Sequence, residues 1–279
     1  MNNFRTWLLM GALTVLLVTT GKFIGGNSLM LIMLVFAIAM NFSSYWWSDK
    51  MAIKMTRSQP VTEAEAPELY SIMRNLSLRA GMPMPRLYKT PSPQPNAFAT
   101  GRNQDKAVVA VTDGLMSLLS RDEVEGVLAH ELAHIKNRDI LVGSMAAMMA
   151  GAISAIANIA QWSLIFGGGD DDDNPLGIVG LLVTIIVMPL AAMVVQMAIS
   201  RSREYGADAA GAKIAGRPDG LVNALLKLER GSQAIPMQVN PATSHMFIVN
   251  PLSGRSMAAL FSTHPPVQER VARLRQRRP

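Results

Sequence analysis

The stretch VLAHELAHIKNRDILVG, residues 127–143, decides how the chain is organised. Its first half contains His130, Glu131 and His134 in the pattern H-E-x-x-H, which is typical of a metal-binding helix. Its second half continues directly into a long uncharged apolar segment. The sequence thus places a candidate metal site beside a segment that is long enough to cross a membrane.

Four windows of the sequence carry no charged side chain, at residues 6–21, 23–48, 140–166 and 175–200. A helix needs roughly 20 apolar residues to cross a hydrocarbon core of about 30 Å, so the last three windows are long enough and the first spans marginally. Arg5 before a short apolar core would also suit a signal peptide. Because no convincing cleavage site follows and another apolar window comes almost at once, we predict a membrane anchor.

Basic residues gather at one end of each pair of windows. The loop GKFIGGNS has a single lysine, and GGGDDDDNP has four aspartates and no basic residue. Lys and Arg concentrate on the cytoplasmic side of membrane segments, so both loops are predicted to face outward and both large polar segments to face the cytoplasm. The aspartate run lacks the spacing of an EF-hand calcium loop, and we interpret it as a solvated exterior turn. The basic residues at the other ends are Lys50, Lys54, Arg57, Lys136, Arg138, Arg201 and Arg203.

These patterns divide the chain into four segments. A transmembrane hairpin at residues 4–48 precedes the first part of a cytoplasmic domain at residues 49–139, which ends with the H-E-x-x-H helix. A second hairpin at residues 140–200 precedes the second part of that domain at residues 201–279. The predicted fold class is therefore mainly α: an integral membrane protein with four transmembrane helices in two hairpins and a cytoplasmic α+β domain with a small β-sheet.

Local patterns predict several elements of the cytoplasmic domain. TEAEAPELYSIMRNLSLRAG has apolar residues at helical spacing and ends in a glycine suited to a helix stop. KAVVAVTDG suits a strand, and NAFATG lies before it across the polar RNQD, which favours a hairpin. Ser120 and Glu123 have the spacing of a capping box, so the H-E-x-x-H helix is predicted to begin there.

On that helix, His130 and His134 project from one face and can reach a single metal ion. Glu131 lies one step around the helix, where it can take a proton from a water molecule without being a ligand. The chain has no cysteine, which excludes thiolate ligands, disulfides and a cysteine nucleophile. The alternative is a helix with two hydrogen-bonded histidines and no metal.

A catalytic zinc ion usually has three protein ligands, so a third one must be found. The continuation H-E-x-x-H-x-x-G-x-x-H is absent, because Asn137 stands at its glycine position and Ile140 at its third histidine. The window that follows is uncharged, so it offers no glutamate ligand either. Glu204 is the best candidate, because an antiparallel hairpin would bring it back beside His134. Asp208 is four residues further on the same helical face and could accept the second N–H of a ligand histidine. The alternative for both acids is a solvated face beside neighbouring arginines.

Taken together, these motifs resemble those of the HtpX family of bacterial membrane zinc metalloproteases, which are related to the CaaX prenyl endoproteases. The resemblance covers essentially the whole chain and keeps the family's order of motifs. The motifs are NAFATG, TDGLMSLLSRDEVEGVLAHELAHIKNRD, SRSREYGADAAGA, FIVNPLSG and FSTHPP.

The resemblance implies a gluzincin-like catalytic domain that binds one zinc ion per chain through His130, His134 and Glu204, with Glu131 as the catalytic base. It further implies a multi-pass protein of the bacterial inner membrane that removes misfolded or damaged membrane proteins at the cytoplasmic face. The expected partners are polypeptide substrates and the lipid bilayer, and no nucleic acid.

Two further functions are expected on weaker grounds. His264 in FSTHPP is a candidate donor to the tetrahedral oxyanion, and related enzymes are similar in having a late histidine near the metal; a surface histidine before a turn is the alternative. His245 has less support for a functional role. The resemblance points to Asn96, Ala97 and Phe98 as an edge strand that pairs with an extended substrate, against an ordinary strand with Phe98 in the core. The arginine-rich C-terminal tail is expected to be a solvated helix face near lipid headgroups.

Three other functions stay open from the sequence. An intramembrane protease would place the metal motif inside a span, whereas charged residues flank it on both sides here. A CaaX-type processing protease would need a lipid-lined chamber, and four transmembrane helices can enclose little of such a chamber. A non-catalytic metal-binding membrane protein would carry more polar residues within its spans than this chain has.

Overall fold

The computed structural model describes residues 2–143, 201–234, 248 and 265–276, and these residues are mainly helical with one small mixed sheet. The chain divides into two compact units. Described residues 2–46 belong to the first unit, and the remaining described residues belong to the second.

The described part of the first unit consists of most of helix α1 (Asn2–Thr56), whose two arms run antiparallel. The Asn41 side chain donates hydrogen bonds to the carbonyl oxygen of Met10 at 3.2 Å and to Oγ1 of Thr14 at 2.9 Å. These contacts join residues about thirty positions apart, so the chain reverses between them. The reversal falls near Gly26, whose φ of +62° is a conformation that glycine adopts without steric cost.

One stretch of the described residues, Gly25–Thr56, is helical, long and apolar enough to cross a membrane. The preceding Thr6–Lys22 is an apolar helix of shorter length. Many large apolar side chains of both stretches are exposed, among them Trp7, Leu31, Val35, Phe42, Trp46 and Trp47. The predicted spans at residues 140–166 and 175–200 lie outside the described residues except for residues 140–143, which are helical.

The second unit contains a four-stranded sheet in the order β1–β2–β4–β3. Strands β2 and β4 are parallel, and the other two pairs are antiparallel. The predicted hairpin is confirmed, since β3 pairs with β4 in the register Ala97↔Val111. Every residue of β4 is buried, as expected for a central strand rich in β-branched side chains. The strands are β1 (Gln59–Pro60), β2 (Arg86–Thr90), β3 (Ala97–Thr100) and β4 (Val108–Thr112).

Helices of the second unit pack around the metal-motif helix. The predicted capping box is present at its start, where the backbone N–H of Ser120 donates to Oε2 of Glu123 at 2.8 Å. The predicted helix stop is also confirmed, because Gly81 directly follows the helix Pro67–Ala80 and has a φ of +65°. The helices are α2 (Pro67–Ala80), α3 (Asp113–Leu118), α4 (Arg121–Lys136), α5 (Arg201–Ala215), α6 (Asp219–Ala234) and α7 (Val267–Gln276), and a short 3₁₀ turn spans Gln104–Lys106.

Helix α4 lies at the centre of this unit. It packs against α2, α5 and α6 and against strand β3, and its side chains from Val127 to Ala133 are all buried. A helix buried on so many sides holds its side chains in fixed rotamers. The metal motif is therefore carried by the most enclosed helix of the second unit's described residues.

Candidate metal centre

Two imidazoles of α4 face one another at the centre of the site. Nε2 of His130 lies 3.2 Å from Nε2 of His134, and the two rings meet edge to face with centroids 4.7 Å apart. This geometry follows from the spacing of four residues on an α-helix, which stacks two side chains on one face. His130 is 1% exposed, so the pair is shielded from solvent on its inner side.

Glu204 of α5 completes a group of three ligand-type side chains. One carboxylate oxygen lies 3.7 Å from Nε2 of His130, and the other lies 3.6 Å from Nε2 of His134. One ligand atom from each residue falls within 4.8 Å of the others. The structure therefore brings together the three side chains that the sequence analysis assigned to the metal.

The spacing of these atoms fits a tetrahedral zinc site. Zn–N and Zn–O bonds of about 2.0–2.1 Å at a tetrahedral angle place neighbouring ligand atoms roughly 3.3 Å apart. The observed separations of 3.2, 3.6 and 3.7 Å lie close to that value. Two neutral imidazoles and one carboxylate also form a donor set that catalytic zinc sites use.

A glycine allows α5 to approach α4 this closely. A Cβ atom added to Gly211 would lie 2.9 Å from both the Cα and the N of His130, closer than real Cβ atoms come to backbone atoms. Gly211 is seven residues, about two helical turns, beyond Glu204. Both residues therefore lie on the face of α5 that packs on α4.

Asp208 lies behind His130, as expected for an acid four residues after Glu204. Its Oδ1 is 3.0 Å from Nδ1 of His130, which is within hydrogen-bond distance, and both side chains are buried. Burial would raise the pKa of Asp208, but the guanidinium of Arg270 outweighs it and lowers the pKa to about 2. Asp208 is therefore a carboxylate at physiological pH, so it favours a proton on Nδ1 of His130 and leaves Nε2 to face the cluster.

Arg270 is a member of the site that the sequence analysis missed. Its Nε and Nη2 donate to the two carboxylate oxygens of Asp208 at 2.9 and 2.7 Å, and its Nη1 donates to the carbonyl oxygen of Ile248 at 2.9 Å. It is 0% exposed, so the expectation of a solvated C-terminal tail is wrong for this residue. Helical spacing was the available signal, because Arg270 lies on the same face as the buried Val267, Val271 and Leu274.

The two imidazoles differ in their electrostatic surroundings. Burial lowers the pKa of His130, and the positive charge of Arg270 adds to this effect against the opposing influence of Asp208. Burial also disfavours the charged form of His134, but the carboxylates of Glu204, Asp139 and Glu131 outweigh it and raise its pKa to about 9. His134 thus lies on the more negative side of the cluster, where a divalent cation is electrostatically favoured.

Glu131, the expected catalytic base, is 5% exposed. Its negative charge contributes to the raised pKa of both His134 and Arg270, which places the carboxylate in the electrostatic field of the cluster. The third member of the H-E-x-x-H motif is therefore buried and close enough to His134 for its charge to act on that ring.

The expected substrate strand is an edge strand, but its side chains are buried on both faces of the sheet. Ala97 and Phe98 are buried, and Phe98 packs against Ala52 and Ala110. Asn96 is also buried, and its Oδ1 accepts a hydrogen bond from the backbone N–H of Ile248 at 3.2 Å. Any contact of this strand with a substrate is therefore left to its backbone. His245 and His264 lie outside the described residues.

Comparisons with known proteins agree with this geometry. The model of peptidase family M48 matches residues 63–278. A protease HtpX homolog of Pelotomaculum thermopropionicum is 60% identical over 276 residues, which cover 98% of each chain. Homologs of the same name from Desulfatibacillum aliphaticivorans and Pyrococcus furiosus are 56% and 52% identical, over 100% and 98% of this chain and 90% and 94% of theirs.

Among solved structures, the crystal structure of S. mikatae Ste24p is similar with a TM-score of 0.53 and 19% sequence identity. The likeness covers 98% of this chain and 63% of that one, and it shows a shared fold. A family model that matches most of the chain and relatives more than half identical along nearly its whole length establish that the protein belongs to peptidase family M48.

Proposed function

We propose that this M48 peptidase is a zinc endopeptidase of the bacterial inner membrane that hydrolyses misfolded or damaged membrane proteins at the cytoplasmic face. Family membership makes the protein a metal-dependent peptidase that acts on polypeptides. The observation that carries the proposal is the convergence of His130, His134 and Glu204 beside the buried carboxylate of Glu131.

The proposed zinc ligands are the two Nε2 atoms and the Glu204 carboxylate. When bound, zinc supplies a Lewis acid that acidifies a water molecule and polarises the scissile carbonyl group. The protein's contribution is to hold three ligand atoms at fixed positions on largely buried side chains. The Asp208 carboxylate, anchored by Arg270, keeps the ring of His130 in the required orientation.

Glu131 is the proposed general base. Its carboxylate takes a proton from the attacking water and passes it to the leaving amine, so that one residue acts first as a base and then as an acid. His264 is the proposed donor to the oxyanion that forms on the substrate carbonyl. The basis for His264 is its place three residues before α7, the helix whose Arg270 contacts the cluster.

Strand β3 is proposed to hold the substrate in an extended conformation. The backbone N–H of Thr112 donates to the carbonyl oxygen of Asn96, so these residues form a hydrogen-bonded pair. Alternation along an antiparallel ladder then points the backbone groups of Ala97 and Ala99 away from β4, toward an edge with which no described strand pairs. Recognition through these backbone groups would give little sequence preference, which suits an enzyme that removes many damaged proteins.

The proposed membrane topology has four spans in two hairpins, with residues 49–139 and 201–279 together in the cytoplasm. The antiparallel arms of α1 and its exposed apolar side chains support the first hairpin. The excess of Lys and Arg at one end of each pair of apolar windows supports the orientation. The grouping of residues 47–143 with 201–234 in one compact unit supports a single catalytic domain formed from two separate stretches.

The test is zinc content and cleavage of an unfolded protein such as casein, measured on detergent-purified wild type beside Glu131→Gln. The variant should keep one zinc per chain and lose nearly all cleavage, because it removes the base and no ligand. Glu125→Gln is the matched control, since it makes the same change on the same helix at a residue that pairs with Arg79. Cleavage at the wild-type rate by Glu131→Gln would refute the proposed mechanism.

A further inference from the structure

Asp139 contacts the second imidazole of the cluster. Its Oδ2 lies 3.2 Å from Nδ1 of His134, on the side of the ring opposite Nε2. The Asp139 side chain is 8% exposed, so the contact is largely removed from solvent.

The backbone after α4 is shaped so that Asp139 returns to His134. The helix ends at Lys136, and Arg138 has a φ of +59°, a left-handed conformation that side chains other than glycine rarely adopt. This turn lets the backbone N–H of Asp139 donate to the carbonyl oxygen of His134 at 2.9 Å. Asp139 is thus joined to His134 twice, once through the backbone and once through the ring.

The arrangement repeats, on the other imidazole, what Asp208 does for His130. A carboxylate at Nδ1 favours a proton on that nitrogen, so that Nε2 carries the free electron pair that a metal needs. It also fixes the rotation of the ring about its bond to Cβ. A carboxylate beyond hydrogen-bond distance would do neither.

We propose that Asp139 is a positioning residue that sets the tautomer and ring plane of His134 for metal binding. The proposal deepens the proposed zinc function, since it concerns how one ligand of that site is oriented. Asp139 touches the ligand and not the substrate, so its effect on catalysis is indirect. The carbonyl oxygen of Asp139 also accepts a hydrogen bond from the N–H of Gly143. The test must therefore distinguish an effect of Asp139 on metal binding from an effect on the stability of the fold.

The test compares Asp139→Asn and Asp139→Ala with wild type in the full-length, detergent-purified protein. Zinc affinity is measured by competition with a chelator, and the ligand field by the visible spectrum of the cobalt-substituted protein. Asp139→Ala should bind zinc about 10–100-fold more weakly, as is typical when an outer partner of a ligand histidine is lost. Asp139→Asn keeps an acceptor oxygen without the charge, so its loss should be smaller. The cobalt bands should shift in Asp139→Ala.

One measurement and one control variant separate positioning from folding. Thermal unfolding of the metal-free variants should show a loss of free energy smaller than the loss of zinc-binding free energy, because the carboxylate also contacts the ring before the metal binds but matters most for orienting it toward the metal. Asp113→Asn is the matched control: its carboxylate, about half exposed, pairs with Lys89 at 2.6 Å, and the change should leave affinity and spectrum unaltered.

Unchanged zinc affinity and an unchanged cobalt spectrum in Asp139→Ala would overturn the proposal. So would a loss of affinity accompanied by an equal loss of stability in the metal-free protein. Neither readout depends on peptide hydrolysis, so the outcome would stand even if Glu131→Gln kept its activity and the proposed mechanism failed.

Discussion

The close packing of α5 on α4 predicts a specific effect of Gly211→Ala. The new Cβ would lie 2.9 Å from the backbone of His130, whereas ordinary van der Waals contact begins at 3.4 Å. Both neighbouring atoms belong to the backbone of a buried helix, so they cannot rotate away. The two helices must therefore separate locally by about 0.5 Å, the difference between these two distances.

The expected magnitude combines two opposing effects. Alanine is a better helix former than glycine by about 0.8–1.0 kcal/mol, and overpacking of a dense core costs typically 1–3 kcal/mol. Gly211→Ala should therefore lower the free energy of unfolding by roughly 0–2 kcal/mol. If the strain is relieved by moving α5 outward, Glu204 moves with it, and zinc affinity should fall by roughly 5–150-fold, the equivalent of 1–3 kcal/mol.

The matched control is Gly206→Ala on the same helix. A Cβ at Gly206 would meet no atom within 4 Å, so this change should stabilise the protein by about 0.5–1 kcal/mol and leave zinc affinity unaltered. The assay is chelator competition for zinc together with thermal unfolding of the metal-free protein. Equal zinc affinity and equal stability of the two variants would refute the steric reasoning.

Three further predictions follow from contacts in the second unit. Arg270→Met should destabilise the protein by about 3–5 kcal/mol in denaturant unfolding, because it leaves the carboxylate of Asp208 buried without its cation; an effect below 1 kcal/mol would contradict the buried pair. Zinc affinity should rise about tenfold per pH unit from pH 7 and level off near pH 9. The reason is that the burial of His134 is outweighed by the carboxylates of Glu204 and Asp139, which raise its pKa to about 9, so that below this pH the metal must displace a proton. Zinc affinity that is independent of pH in chelator titrations would contradict this. Gly81→Ala should lower the free energy of unfolding by about 1–2 kcal/mol, because its φ of +65° is unfavourable for a residue with a Cβ; a stabilised variant would contradict the left-handed helix stop.

The parts of the site that the sequence predicted are those set by local geometry. The spacing of His130 and His134 on a capped helix fixes their relation without reference to the rest of the chain. Glu204 is seventy residues further, and it could be proposed because the uncharged window left few acidic residues and because a hairpin returns the chain to its starting point. The small sheet was readable from one apolar run and the turn residues around it.

The parts that the sequence did not predict depend on tertiary packing. Arg270 is in an arginine-rich tail; helical spacing puts it on the apolar face of α7, but its partner Asp208 is 62 residues away in sequence and no local pattern identifies that pairing. Asp139 reaches His134 because Arg138 adopts a left-handed backbone conformation, which cannot be predicted from an arginine at that position. Oδ1 of Asn96 accepts a hydrogen bond from the backbone N–H of Ile248, a partner that no local pattern identifies.

The most direct test of the central claim is an anomalous-scattering measurement at the zinc edge on crystals of the zinc-loaded protein. We expect one peak per chain within about 2.0–2.2 Å of Nε2 of His130, Nε2 of His134 and a carboxylate oxygen of Glu204. A zinc peak beside other residues, or a Glu204 carboxylate turned away from the ion, would contradict the proposed metal site.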